Sequence, residues 1–195
     1  MRGVEQIPWL YDVLASLMEL RGLGRWRDWL ARGAKGRTLE VGAGTGRNLP
    51  RYPKDVRLIA TEPDLAMVKS ARRRAPHVPL VVASAEALPF RDGAFDTVVS
   101  SLVFCSVPDP ARGLAEVKRV LRPGGALRMM EHVRAETPLR GRWQDFIQPA
   151  WTRLAGGCHN NRDTVAAVER AGFVIEDEGR RKNGDLRRFQ ARPAR

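Results

Sequence analysis

Three glycines at alternate positions, Gly42, Gly44 and Gly46, follow the strand-forming residues Leu39 and Val41 in the segment TLEVGAGTGRN. Glycine permits a tight turn and lets a ligand approach backbone N–H groups, so this loop is a candidate nucleotide-binding turn. A dinucleotide turn runs G-x-G-x-x-G and would need glycine at position 47. That position is Arg47, and pyrophosphate binding is the weaker reading. Twenty residues beyond Gly42, Glu62 lies at the end of the strand-like run in IATEPD. A carboxylate there can accept hydrogen bonds from both hydroxyls of a ribose. Its alternative is a solvated loop acid, and the glycine loop before it favours the ribose.

These residues need a sheet to hold them. The runs 37–42, 56–61, 79–83, 95–104 and 125–133 read as short buried strands, each closed by Gly, Pro or a polar turn. Between them lie helix-like segments, Asp64–Ala75 behind a capping Asp and Ala111–Leu121 behind Pro110, the second ended by RPGG. Strand alternating with helix predicts an α/β fold, a mostly parallel sheet with crossover helices on both faces. Two amphipathic helical stretches open the chain, one carrying Leu10, Val13, Leu14, Leu17 and Met18, the other Trp26, Trp29 and Leu30. Residues 140–154 form a third such stretch, followed by a helix over 164–171 and two strands over 173–178 and 186–192. We expect one domain: a helical lid over 1–33, a core over 34–135 and an acceptor-side segment over 136–195.

Composition narrows the class. The 195 residues carry 34 Lys+Arg against 22 Asp+Glu, a formal net charge of +12, and are 43% apolar, which supports a real core. Arginine supplies 29 of the 34 bases, a bias of genome or habitat as much as of function. A basic surface attracts nucleic acid and anionic lipid alike. No apolar run reaches transmembrane length, and Glu5 with no apolar stretch after it argues against a secretory signal, so a cytoplasmic chain is expected. Cys105 and Cys158 are the only cysteines, which fits a reducing compartment.

The ordered motifs resemble the class I S-adenosylmethionine-dependent methyltransferases of the type that includes quinone C-methyltransferases. EVGAGTG is similar to that family's cofactor loop and TEPDLAMV to its ribose-binding turn. SAEALPFRDGAFDTVVSSLVF is similar to its adenine and fourth-strand region, and VKRVLRPGG to the stretch before its fifth strand. The resemblance implies a Rossmann-like seven-stranded sheet ending in an antiparallel hairpin, and S-adenosylmethionine as cofactor. It implies that Gly42, Ala43 and Gly44 border the methionine part and that Glu40 faces its amino group. Glu62 takes the ribose, Pro63 lies beside the adenine, and Ala85 and Glu86 edge the ring. Ser84 stands where many members have Asp, and Ser101 and Leu102 lie near the transferred methyl.

Displacing a methyl from a sulfonium needs alignment and exclusion of water more than strong acids or bases, so the acceptor pocket is the feature to find. Tyr11 and Asp12 resemble a YD near the start of quinone and phospholipid methyltransferases. In the 140–154 stretch, Trp143, Phe146 and Trp151 recur beside Arg140, Arg142 and Arg153, a pattern suited to a membrane interface or to a helix packed on the sheet. Residues 130–164 resemble the thiol S-methyltransferases of animal membranes, with a similar EHV, a tryptophan-rich stretch, a GC and an NxRD-like close. Glu131, His132, His159 and Asp163 are expected around the acceptor, although His132 would equally bond a carbonyl and Asp163 cap the helix after it. Cys158-His159 is half a zinc site, but Cys105 lies 53 residues away and there is no CxxC, so no metal is expected.

The combined expectation is a monomeric enzyme at an anionic membrane surface, peripherally bound on its cytoplasmic side and without a nucleic-acid partner. Its first candidate reaction is N-methylation of phosphatidylethanolamine, with the arginines on the lipid phosphate and Tyr11, Glu131 and His132 at the amine. Thiol S-methylation and quinone C-methylation are the alternatives, and a non-catalytic cofactor-binding module is the reading outside enzymes.

Overall fold

The computed structural model describes residues 7–155 and 157–194. The strands are β1 (Arg37–Val41), β2 (Arg57–Thr61), β3 (Leu80–Val81), β4 (Phe95–Ser101), β5 (Leu121–His132), β6 (Phe173–Asn183) and β7 (Leu186–Pro193). They form one seven-stranded sheet in the order β3-β2-β1-β4-β5-β7-β6. The first five run parallel, and β7 pairs antiparallel with both β5 and β6. The Rossmann-like sheet with a terminal antiparallel hairpin is therefore as expected.

The helices are α1 (Pro8–Met18), α2 (Gly24–Arg32), α3 (Leu65–Arg74), α4 (Pro110–Val120), α5 (Pro138–Leu154) and α6 (Thr164–Arg170). Side chains alternate across each strand, so neighbours serve opposite faces. Val98, Leu127 and Met129 join Leu114, Val117 and Val168 under α4 and α6. Val99 and Met130, one residue on, join Leu23 and Leu30 under α2. Ala60, Ala71, Ala75 and Leu49 form a smaller cluster beneath α3. The core thus sits on both faces of the sheet, and the loops at the C-terminal ends of β1, β2 and β4 meet above it.

Two boundaries move for physical reasons. RPGG does not separate α4 from the next strand, because β5 begins at Leu121 and runs through it, with a register shift between the Phe95 and Thr97 pairings. β4 ends at Ser101 rather than at Phe104, because Leu102 turns to φ 60. A non-glycine residue there costs about 1 kcal/mol or more. The Leu102 N–H donates to the Met130 carbonyl at 2.7 Å, which holds the turn.

Candidate active site

Two hollows meet above the sheet. The first is a cleft of about 250 Å³ lined by the glycine loop, the end of β2 and the loop after β4. Of the predicted cofactor residues, Gly42, Gly44, Glu62, Pro63, Ser84, Ala85, Ser101 and Leu102 line it, and so does Tyr11. Gly44 sits at φ +57, and a side chain there would project into open space. Gly46 is needed for a different reason: a Cβ would lie 2.9 Å from the Ala71 backbone, so glycine lets the loop press onto α3. Glu62 accepts from the N–H of Gly44 at 2.9 Å and of Asp64 at 3.0 Å, which orients both carboxylate oxygens. Burial raises its carboxyl above the ordinary value, against the pull of those two N–H groups. Asp64 meanwhile caps α3 through the N–H groups of Ala66 and Met67.

Three of the cofactor residues named from sequence do not line the cleft. Ala43 is packed with Leu49 and Ala60. Glu86 accepts from the Asp109 N–H at 2.6 Å and from the Ser84 hydroxyl, and so braces the turn before α4. Glu40 is fully buried, accepts from Asn48 at 2.8 Å, and is pushed up to about 7 by burial despite Tyr52, Asn48 and Arg27 nearby.

The second hollow, about 300 Å³, is almost wholly apolar. Leu14, Ala15 and Met18 of α1, Leu23, Leu102, and Trp151, Leu154 and Ala155 at the end of α5 form its walls. Tyr11, Arg27 and His132 are its polar residues. Tyr11 and Leu102 border both hollows, so the two share a wall. A larger hollow of 880 Å³ lies between α4 and α6 and includes none of the glycine loop.

Glu131 reaches neither hollow. Buried beside the loop after β4, it accepts from the N–H groups of Val103 and Phe104 and from the Ser100 hydroxyl. Burial pushes it up to about 7. Arg162 takes the other side of the same loop, donating to the carbonyls of Phe104 and Val107. Of the acceptor-side residues named from sequence, Trp151 alone lines the cavity with His132 and Tyr11. Trp143 and Phe146 stack on each other on the exposed side of α5, with centroids 5.7 Å apart. Arg140 pairs with Asp185 at 3.1 Å, and Arg142 and Arg153 are exposed. The His159 ring bonds the Gly157 carbonyl, and Asp163 caps α6 through the Ala166 N–H.

Sequence reasoning missed Arg27. It is buried, ion-paired with Glu19 at 3.0 Å, and donates to Asn48, to Ser101 and, at 3.4 Å, to the Tyr11 hydroxyl. The signal was present: Leu23, Arg27 and Leu30 recur at i, i+4 and i+7, which puts the arginine on the buried stripe of α2. The fold also closes the 53-residue gap that argues against a metal in the sequence. The ligand atoms of Cys105, His132 and Cys158 lie within 4.8 Å of one another. Hydrogen bonding with Cys105, and then His132 and Trp151, holds the Cys158 thiol far below its ordinary value despite burial.

The family described as "Methyltransferase domain" matches residues 39–129. The human thiol S-methyltransferase TMT1B is 37% identical over 182 residues, 85% of this chain and 74% of that protein. The chain belongs to the S-adenosylmethionine-dependent methyltransferases. The human thiol S-methyltransferase TMT1A is 43% identical over 143 residues, 69% of this chain and 59% of the relative, so the chain spans less than two thirds of that protein. A demethylmenaquinone methyltransferase of Renibacterium salmoninarum is 31% identical over 157 residues, 77% of this chain and 66% of the relative. Among solved structures, a methyltransferase of Thermotoga maritima superposes with a TM-score of 0.71 at 21% identity, covering 96% of each chain. The cofactor of this methyltransferase is S-adenosylmethionine, and the cleft fits it: Glu62 holds an oriented carboxylate at its wall, suited to accept from ribose hydroxyls, and Gly44 leaves space beside it.

Proposed function

We propose that the protein methylates the sulfur of a lipophilic thiol bound in the apolar cavity. The observation that carries this reading is the cavity itself, with carbon on nearly every wall and its boundary with the cofactor cleft formed by Tyr11 and Leu102. Similarity to two human thiol S-methyltransferases favours sulfur over the other acceptors. S-adenosylmethionine supplies an electrophilic methyl on a sulfonium. Glu62 and the glycine loop hold it, and Tyr11 and Leu102 align the acceptor against the cleft. Apolar walls exclude water and strip solvent from the attacking sulfur, which raises its reactivity. Tyr11, Arg27 and His132 are the polar groups at the cavity's wall.

Phosphatidylethanolamine finds no comparable support. Arg140, Arg142 and Arg153, the residues expected to hold its phosphate, are not among the cavity's lining residues. Quinone C-methylation is the second reading, favoured by the similarity to a demethylmenaquinone methyltransferase. Peripheral membrane binding remains part of the proposal. No described helix is long and apolar enough to cross a bilayer. However, Trp9, Leu17 and Leu20 near α1, and Leu139, Trp143, Phe146 and Leu154 of α5, expose apolar surface on the two helices that build the cavity walls. Those side chains, with the positive charge, would bring the cavity to a lipid surface from which a lipophilic acceptor could enter.

Labelled cofactor should be offered with alkyl thiols of increasing length, a demethylated quinone and phosphatidylethanolamine vesicles. Label should enter the thiols, with kcat/KM rising about fourfold per added methylene until the cavity fills. Label in the quinone or the lipid alone would replace the thiol reading.

A further inference from the structure

Cys105 lies in the loop after β4, and Cys158 lies beyond the end of α5. They are 1% and 0% exposed, and the backbone joins them, because the His159 N–H donates to the Cys105 carbonyl at 2.7 Å. The Cys158 carbonyl in turn accepts from Gln148 at 3.0 Å. His132, the last residue of β5, completes the group and lines the acceptor cavity. Three separate elements thus converge two sulfurs and one imidazole within 4.8 Å. In a tetrahedral zinc site, bonds of about 2.3 Å to sulfur and 2.0 Å to nitrogen place ligand atoms roughly 3.5–3.8 Å apart, so a contraction of about 1 Å would complete the site. Two thiolates and an imidazole select a soft or borderline ion, and three protein ligands leave one position open.

We propose that Cys105, Cys158 and His132 bind a zinc ion whose open position takes the acceptor's sulfur. The ion-binding half stands on the ligand geometry alone, and the sulfur half rests on the thiol reading above. On binding, the acceptor R–SH displaces water from the ion and releases its proton to solvent. The resulting thiolate directs a lone pair at the cofactor methyl, and a new C–S bond forms. The methyl–sulfonium bond breaks with its electron pair kept by the cofactor sulfur, giving S-adenosylhomocysteine. The product R–S–CH3 is a neutral thioether, a poorer ligand for zinc than a thiolate, and leaves the open position.

The test uses the full chain, reduced and free of metal, titrated with zinc against a chromogenic chelator. One equivalent should bind, and Cys105→Ser, Cys158→Ser and His132→Ala should each lower affinity by at least tenfold, with cofactor binding by calorimetry as the check on folding. Should one variant fail that check, the other two carry the comparison. Cobalt substitution reads the open position. Adding an alkyl thiol should raise the thiolate-to-metal absorption by about half, as two sulfur ligands become three. No zinc uptake beyond that of the double Cys→Ser variant would overturn the site and leave the two cysteines as packing. An unchanged cobalt spectrum would overturn the sulfur ligand. Label transfer to thiols at full rate by metal-free protein would overturn the zinc role while leaving the thiol reading intact.

Discussion

Glu62 carries the cofactor claim at the level of single residues. Its two oxygens are oriented by the N–H groups of Gly44 and Asp64, and each can accept one ribose hydroxyl. Hydrogen bonds to a charged group contribute about 1.5–3 kcal/mol each, so Glu62→Ala should weaken S-adenosylmethionine binding by roughly two orders of magnitude or more in calorimetry. Burial raises this carboxyl, so it gains its proton at a higher pH than an exposed Glu and then loses acceptor capacity. Affinity should therefore fall on acidification earlier than an ordinary carboxylate would predict, and an affinity flat down to the usual Glu range would contradict that placement. Leu102 carries the boundary claim. Leu102→Ala keeps the strained backbone and deletes the wall, so cofactor affinity should stay within a few fold while kcat/KM for the acceptor drops at least tenfold. The glycine loop and Glu62 were legible in the sequence because their chemistry is local. Glu131 was not, because a buried carboxylate bracing two backbone N–H groups looks the same in a sequence as one facing a substrate.

Helix α1 is held by charges. Asp12 accepts from the Thr45 hydroxyl at 2.6 Å and pairs with Arg47 at 3.2 Å and Arg74 at 2.7 Å, while Glu19, just after the helix, pairs with Arg27, Arg47 and Arg51. Burial opposes ionisation of Asp12, but the hydrogen bonds from Arg74, Thr45 and Arg47 outweigh it and hold the carboxyl below its usual value. A depressed pKa contributes stability above the unfolded value and loses it as pH falls through the folded one, so the clasp should persist at pH values that protonate an exposed Asp. Asp12→Asn should loosen α1, seen as faster amide exchange over residues 8–18 and weaker cofactor binding. The arginine that breaks the dinucleotide pattern is thus a fastening point for the lid, which a search for a third glycine could register only as a mismatch. The helices were readable from their periodicity. The clasp was not, since every contact in it but Glu19–Arg27 joins residues 28–62 apart in sequence.

Across the whole molecule, two buried carboxyls set a slope of stability with pH. Glu40 and Glu131 are both pushed up to about 7 from an ordinary 4.5 by burial. Between those values the folded chain keeps protons that the unfolded chain has released, so stability falls as pH rises through that window. The melting temperature should be higher near pH 5 than near pH 8 as far as these two groups are concerned, and Glu131→Gln should flatten the profile. An equally steep profile in that variant would assign the slope elsewhere. The mostly parallel sheet and its terminal hairpin followed from the strand–helix alternation and the family resemblance. The meeting of Cys105, His132 and Cys158 did not, because sequence separation says nothing about which loops a parallel sheet gathers at one end.

One helix borders both hollows. Tyr11 of α1 borders both the cleft and the cavity, and Leu14, Ala15 and Met18 continue the roof over the cavity. On the proposed function, spent cofactor and methylated product would depart through one lifting motion of α1, and turnover at saturation would be paced by how often that roof opens. Because ionic pairs fasten it, added salt should shorten each opening cycle. The expected signature is a kcat that climbs with ionic strength while both KM values worsen, the reverse of an enzyme whose slow step is the methyl transfer itself.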